Sequence, residues 1–449
     1  MERNLTSGSV LKNIAYFSLP YLLSYFLQTL YGMADLFIIG QFEGVAGTTA
    51  VSVGSQVMHM LTVMIVGLAM GTTVSIAQAV GAGEKKRASQ AVGNTVVLFL
   101  GVSVVLMLVL LFFVKPVVAV MSTPGEAVAG TISYLKICFI GIPMITAYNV
   151  ISSIFRGMGD SRSPMYFIAV ACAANIVLDY IFIGALHMGA AGAALGSTLA
   201  QTVSVVIALA AILRSKRGIS VSGSDFRPKR QVTGKIVRIG VPIALQDGFI
   251  QIAFIIITII ANKRGLNDAA AVGIVEKIIS FLFLVPSSML SAVSALGAQN
   301  IGAGKQKRAD ETLKYAIFIA AGFGLIVSVA IQFIAEPVVG LFTTDSIVKV
   351  LGGQYIRGYI WDCIFAGIHF SFSGYFCACG RSELSFIHNI IAICLVRVPG
   401  VYLASKLFPA TLFPMGIATA TGSLTSVVIC VIAFMWLRKR RGEGIVLEK

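Results

Sequence analysis

The sequence predicts an all-α polytopic membrane protein, with twelve transmembrane helices in two pseudo-symmetric six-helix lobes around a central cleft. Three observations carry this. The chain is 57% hydrophobic and only 12% charged, which leaves apolar material for many spans. Its apolar runs reach about 20 residues or more, enough for a helix to cross a hydrocarbon core of ~30 Å. Lipid offers backbone groups no hydrogen-bond partners, and runs this long without alternation exclude a barrel, so the spans are helices. The third observation is a repeat. "AQAVGAGEKKRA" at 77–88 and "AQNIGAGKQKRA" at 298–309 agree at 8 of 12 positions with an offset of 221, and the same offset carries "PVV" 116–118 onto 337–339, Phe155 onto Phe376 and Gly159 onto Gly380.

The expected spans are 12–40, 49–80, 90–114, 130–155, 163–185, 190–213, 236–261, 269–300, 312–335, 350–377, 384–405 and 412–437. Six spans per repeat, an even number, give both halves the same orientation and relate them by an axis along the membrane normal. The expected organisation is an N-terminal lobe, residues 1–218, a basic cytoplasmic linker, 219–235, and a C-terminal lobe, 236–449. Lys and Arg collect in every second connection: Lys85, Lys86 and Arg87; Arg156 and Arg162; Arg214, Lys216, Arg217, Arg227, Lys229, Arg230 and Lys235; Lys305, Lys307 and Arg308; Arg381; and the C-terminal Arg438 to Arg441. By the positive-inside rule both termini of this multi-pass protein are cytoplasmic, and the expected location is the cell inner (plasma) membrane. Arg3 and Lys12 precede a span longer than a signal-peptide core, with no persuasive cleavage site.

The net charge of +15 is mostly this topological signal, so no nucleic-acid partner is expected. The seven cysteines lie in or at the ends of spans and read as small packing residues rather than disulfides or metal ligands. "GAGEKKRA" and "GAGKQKRA" lack the spacing and strand context of a phosphate-binding or dinucleotide loop and read as glycine helix stops before a cationic turn. No protease, triad or ATPase pattern is present, so no enzyme activity and no cofactor are expected. Transport in such an architecture would be driven by an ion gradient.

Polar residues inside the spans are the functional candidates. Asp35, within "YGMADLFIIG", stands five residues before Gly40; Asp179, within "NIVLDYIFIG", stands five before Gly184. Both helices run outward in the expected topology, which places the two acids at similar depth. Tyr31 and Asn175 lie one turn below them, at i−4 on the same face. A desolvated carboxylate is a place where a proton, a monovalent cation and a cationic substrate compete. H⁺ and Na⁺ coupling both remain open, and the only metal expected is Na⁺ at Asp35, Asn175 and Asp179. A structural reading stands beside this, in which each acid is a buried hydrogen-bonded group. The offset carries Asp35 onto Ile256 and Asp179 onto Gly400, so the pair belongs to the N-terminal lobe. In the second lobe, Asp362 and Arg397 suit a structural ion pair between the tenth and eleventh spans. Glu276 and Lys277 point about 100° apart and should seek partners on other helices. His59, His369 and His388 read as packing residues.

These motifs resemble the multidrug and toxic compound extrusion family over essentially the whole chain: "YGMAD" in the first span, "FRGMGDS" after the fourth, "NIVLD" in the fifth and "GAGxxxRA" in each lobe. The resemblance is to the prokaryotic branch with an N-lobe coupling site. It implies cation coupling at Asp35, Tyr31, Asn175 and Asp179, joined by a sixth-span hydroxyl that "GAAGAALGS" places at Ser197, where Thr is the expected residue. It also implies a V-shaped cleft and export of amphipathic, mostly cationic organic compounds in exchange for H⁺ or Na⁺. Another branch carries a seventh-span acid that Asp247 does not match in position, and Asp362 does not inherit the tenth-span acid's role. Candidate cleft-lining residues are Gln28, Met144, Tyr148, Gln246, Gln251 and Asp362, with Met144 and Tyr148 better suited to packing. Small organic molecules and membrane lipids are the expected partners, and a monomer the expected state. The alternatives are a lipid-linked saccharide flippase of related fold, which would want Arg or Lys in its cleft, and a major-facilitator-type carrier, whose acidic, arginine-rich turn "GAGEKKRASQ" does not fit. A channel or membrane enzyme fits least.

Overall fold

The computed structural model describes residues 4–214 and 221–442, so Arg3, Lys216 and Arg217 lie outside the described residues. Within them the chain is helical throughout, with no strand, and a helix forms over each expected span. The first four spans are Val10–Phe42, Val45–Gly81, Lys85–Phe112 and the pair Gly125–Ile140 with Ile142–Gly157. The fifth is Arg162–Asp179 continued as a π-helical turn, Tyr180–Ala185, and the sixth is Gly189–Arg214. Arg230–Asn262 is the seventh; Leu266–Leu282 with Leu284–Gly302 form the eighth, and Gln306–Val339 the ninth. The tenth is Ser346–Tyr359 with Asp362–Ala378; the eleventh is Ser382–Leu407, π-helical over Ala392–Arg397; and the twelfth is Phe413–Gly442.

Ten of these are single segments long and apolar enough to cross a membrane, and the fourth, bent by 48°, makes an eleventh. Pro143 explains that bend: it lacks the N–H that would bond back across the break. The tenth span carries Lys349, Arg357 and Asp362 and is interrupted at Ile360–Trp361, where the Ile360 carbonyl accepts from Cys363 N and from Ser328 Oγ, each at 3.0 Å.

The chain forms two compact units, one built on Tyr16–Gly240 and the other on Val241–Lys449 together with Thr6–Ala15. The N-terminal strap therefore packs with the second unit, where Lys305 Nζ donates to Thr6 O at 2.9 Å and Arg308 to Ser7 O at 2.8 Å. In turn the start of the seventh helix packs in the first unit: a Cβ on Gly71 would meet the Ile236 backbone, and one on Gly240 the Leu68 backbone. This bare backbone contact is why both positions are glycine.

The expected linker is more ordered than its composition suggests. Residues 230–235 are the first turns of the seventh helix, not coil. Before them, Gly223–Phe226 forms a 3₁₀ turn capped reciprocally by Ser222 and Asp225. Asn94 of the third helix holds this segment, donating to Asp225 O at 3.0 Å and Arg227 O at 3.3 Å and accepting from Lys229 N at 2.6 Å. The cysteines are free thiols; five are buried, Cys379 is half-buried and Cys394 is exposed, so Cys394 is not the packing residue expected. His59 is likewise exposed.

Candidate functional site

Two apolar clusters of the first unit define where the site sits. Leu27 and Tyr31, Phe167 and Ile168, and Val205 and Ala208 belong to one; Ile38 and Ile39, Ile176 and Ile183, and Ala193 and Ala194 belong to the other. Asp35, Asn175 and Ser197 fall in the gap between these clusters, and Asp179 borders it from within the second, between Ile176 and Ile183. Three helices thus bring their polar turns to one level, each sealed by aliphatic packing on both sides.

Asp35, Asn175 and Asp179 are all essentially buried. Asn175 Nδ2 donates to Ser197 Oγ at 3.3 Å, and Ser197 Oγ donates to Asp35 Oδ2 at 2.7 Å. Gln201, one turn beyond Ser197 and buried, makes a long hydrogen bond from Nε2 to the Tyr31 hydroxyl at 3.5 Å. The structure therefore brings together Tyr31, Asp35, Asn175, Asp179 and Ser197.

The two carboxyl groups lie close enough to act on each other electrostatically. When both are ionised, neither Asp179 oxygen has a protein donor, and Asp35 Oδ1, Asn175 Oδ1 and Gln201 Oε1 are also buried without one. A cluster with five such oxygens and no cationic side chain within it is chemically a receptor for positive charge.

Two contributors escaped the sequence reading. A Cβ on Gly196 would overlap Asp179 Oδ1, so this glycine makes the room the carboxyl occupies. Its signal was present in "GAAGAALGS", but a stripe of small residues is ordinary in helix packing. Gln201 was visible as the i+4 neighbour of Ser197. The π-helical turn that begins at Tyr180, directly after Asp179, has no compositional signature.

The remaining candidates are scattered. Gln28 is half-buried and Met144 exposed, while Tyr148 is buried in the first apolar cluster with its hydroxyl 3.4 Å from Pro164 O, a packing position. In the second unit Gln251 is half-buried, and Gln246 is fully buried with no partner for its amide. Asp362 is not open to a ligand: Arg397 donates to its Oδ2 at 2.8 Å and also to Ser423 Oγ at 2.8 Å, with all charges buried. Glu276 accepts from Thr258 Oγ1 at 3.1 Å while Lys277 is exposed, so the adjacent pair does not pair with itself. His388 Nε2 lies 2.9 Å from Ser373 Oγ, and His369 packs 5.5 Å from it, ring to ring.

The MatE family profile matches twice, over residues 20–181 and 242–403. The matches begin 222 residues apart, one more than the offset between the sequence identities. The chain is 28% identical over 444 residues to the probable multidrug resistance protein YpnP of Bacillus subtilis, covering 99% of this chain and 98% of that one. It is 24% identical to the multidrug export protein MepA of Staphylococcus aureus, covering 90% and 89%. Among solved structures, an outward-facing multidrug resistance MATE family transporter of the MOP superfamily superposes with a TM-score of 0.89 at 26% identity, covering 97% of both chains. A MATE structure in the straight conformation superposes with a TM-score of 0.87 at 26% identity, again covering 97% of both. With two matches that together span most of its length, the chain belongs to the MatE family, the multidrug and toxic compound extrusion transporters.

Proposed function

We propose that this protein is a cation-coupled antiporter that exports amphipathic, mostly cationic organic compounds by alternating access. The observation that carries the proposal is the proximity of Asp35 and Asp179, buried among acceptor oxygens with no cationic side chain to neutralise them. Such a cluster needs one positive charge from outside the protein, and H⁺ and Na⁺ are the candidates. Binding that charge changes the electrostatics of three helices at once, so a conformational equilibrium can respond to it. The cation is released and rebound as the cluster opens to one side and then the other.

The relatives named for multidrug resistance and export support the substrate class. The basic connections support cytoplasmic termini by the positive-inside rule. Because Asp362 takes up Arg397, that guanidinium offers no free cation to a pyrophosphate, which favours the antiporter over a lipid-linked saccharide flippase.

The test is transport by the full-length protein in proteoliposomes, with a proton gradient and a sodium gradient imposed separately. Efflux of a fluorescent organic cation driven by either gradient, and lost in Asp35→Asn, is the expected result. Undiminished gradient-driven efflux in that variant would overturn the proposal.

A further inference from the structure

A second polar site lies in the first unit, away from the acid cluster. A cavity of about 600 Å³ is walled by the second helix at Ser75, by the turn and start of the third helix at Glu84–Ala91, and by the start of the seventh helix at Lys229–Lys235. Five cations line it, Lys85, Lys86, Arg87, Lys229 and Lys235, against the single carboxylate Glu84. Glu84 is spent on Arg87 at 3.1 Å; Lys85, Lys86 and Lys229 make no ion pair within 4 Å among the described residues, and the Asp225 carboxylate, which Ser222 already holds, acts on Lys86 and Lys229 only across space.

Three further features make this a built site rather than a charged surface. Ser75 lines the cavity, is only 7% exposed, and its hydroxyl has no hydrogen-bond partner. Glu84 is the N-cap of the third helix yet makes no side-chain cap, so the positive end of that helix dipole adds to the same field. The positions are also fixed from behind: Asn94 holds the Lys229 backbone at 2.6 Å, and Gln78 accepts from Lys235 Nζ at 2.5 Å.

The repeat supplies the internal comparison. At the matching turn of the second unit, Lys305 Nζ donates to the main-chain carbonyl of Thr6 and Arg308 Nη2 to that of Ser7. The residue matching Ser75 there is Leu296, which is buried and apolar. That turn has its oxygen acceptors supplied by the chain itself. At the turn at Lys85 only Arg87 and Lys235 have side-chain acceptors among the described residues, Glu84 and Gln78, and an unpartnered hydroxyl lies beneath the cations.

We propose that this cavity binds the phosphate group of an anionic ligand, with Lys86 and Lys229 countering its charge and the Ser75 hydroxyl donating to it. An anionic phospholipid headgroup and a soluble phosphate monoester share this chemistry. The inference does not depend on the transport proposal, and its readout requires no transport.

The test uses the full-length protein in neutral detergent. Phosphatidylglycerol and phosphatidylcholine retention is compared by native mass spectrometry, and glycerol 3-phosphate is titrated by thermal shift. Preferential retention of phosphatidylglycerol assigns the site to a headgroup, and saturable binding of glycerol 3-phosphate assigns it to a soluble ester; either sustains the proposal. Binding should weaken at least tenfold in Lys86→Gln/Lys229→Gln and about threefold in Ser75→Ala. Ser75→Leu, which puts the repeat's own residue in place, should abolish it, and Lys307→Gln, the matching position of the second repeat, should leave it unchanged. Equal retention of both lipids with no glycerol 3-phosphate binding overturns the proposal. So does loss in Lys307→Gln equal to that in the double variant, or wild-type binding in both Ser75 variants.

Discussion

Ser197 Oγ donates to Asp35 Oδ2 at 2.7 Å, across 162 residues of chain, and in doing so ties the sixth helix to the first at the level of Asn175. The hydroxyl donates to that carboxylate and accepts from Asn175 at the same time, so it relays the orientation of one polar helix to another. Ser197→Ala removes a charge-assisted hydrogen bond that contributes about 1.5–3 kcal/mol. The expected outcome is normal membrane insertion with the rate of coupled efflux reduced about tenfold, and recovery in Ser197→Thr, which keeps the hydroxyl. Proteoliposome efflux rates for the two variants check this.

Gly196 is the steric counterpart of that bond. A methyl group there would overlap Asp179 Oδ1, whereas one on Gly101 meets nothing within 4 Å. Gly196→Ala should therefore displace the carboxyl and abolish gradient-driven efflux, while Gly101→Ala should retain it and gain slightly in helix stability. Parallel thermal unfolding and efflux measurements separate the two effects.

The buried pair of the second unit makes a prediction of opposite kind, about stability. Removing Arg397 alone strands Asp362 as a buried charge, and such changes cost about 3–5 kcal/mol. Arg397→Met should unfold at markedly lower temperature, and the double variant Arg397→Met/Asp362→Leu should recover much of the loss. If the double variant is no more stable than the single one, the pair is not isolated in the way the contacts indicate.

The Asn94 grip on the segment before the seventh helix predicts protease sensitivity. Asn94→Ala removes three hydrogen bonds at once and should expose residues 222–229 to limited proteolysis many times faster, with the helical core intact. Hydrogen bonds from the Ser222 backbone and hydroxyl hold the Asp225 carboxyl below the usual carboxylate range. A depressed folded value stabilises the turn above the ordinary aspartate range and is lost as pH falls through the folded value. Cleavage at this segment should therefore be slow at neutral pH and accelerate only in clearly acidic buffer, which a pH series with an acid-tolerant protease would follow.

Much of this was legible in the sequence because two rules operate without knowledge of packing. Charges in an apolar run are conspicuous, so Asp35, Asp179, Asp362 and Arg397 were found, and the i−4 rule added Tyr31 and Asn175. Offset identity located the repeat and the chemistry that one half lacks. What the sequence hid depends on contact between distant backbones. Gly196, Gly71 and Gly240 are three among 45 glycines, and only the neighbouring helix reveals which of them must stay bare. The cavity at Ser75 was equally hidden, since a cationic turn reads as topology until a buried hydroxyl is seen beneath it.

The π-helical turn after Asp179 has a consequence for how the gene can vary. Such a turn holds one residue more than an α turn. Deleting any one residue between Tyr180 and Ala185 would close it to an α turn and absorb the loss locally, whereas the same deletion in a continuous α-helical stretch would rotate everything before it by about 100° relative to everything after. A one-residue indel in this stretch would leave composition, hydropathy and loop length nearly untouched. A deletion here would leave the Asn175–Asp179 edge facing Asp35, so this turn is where the fifth span can lose a residue and keep the site.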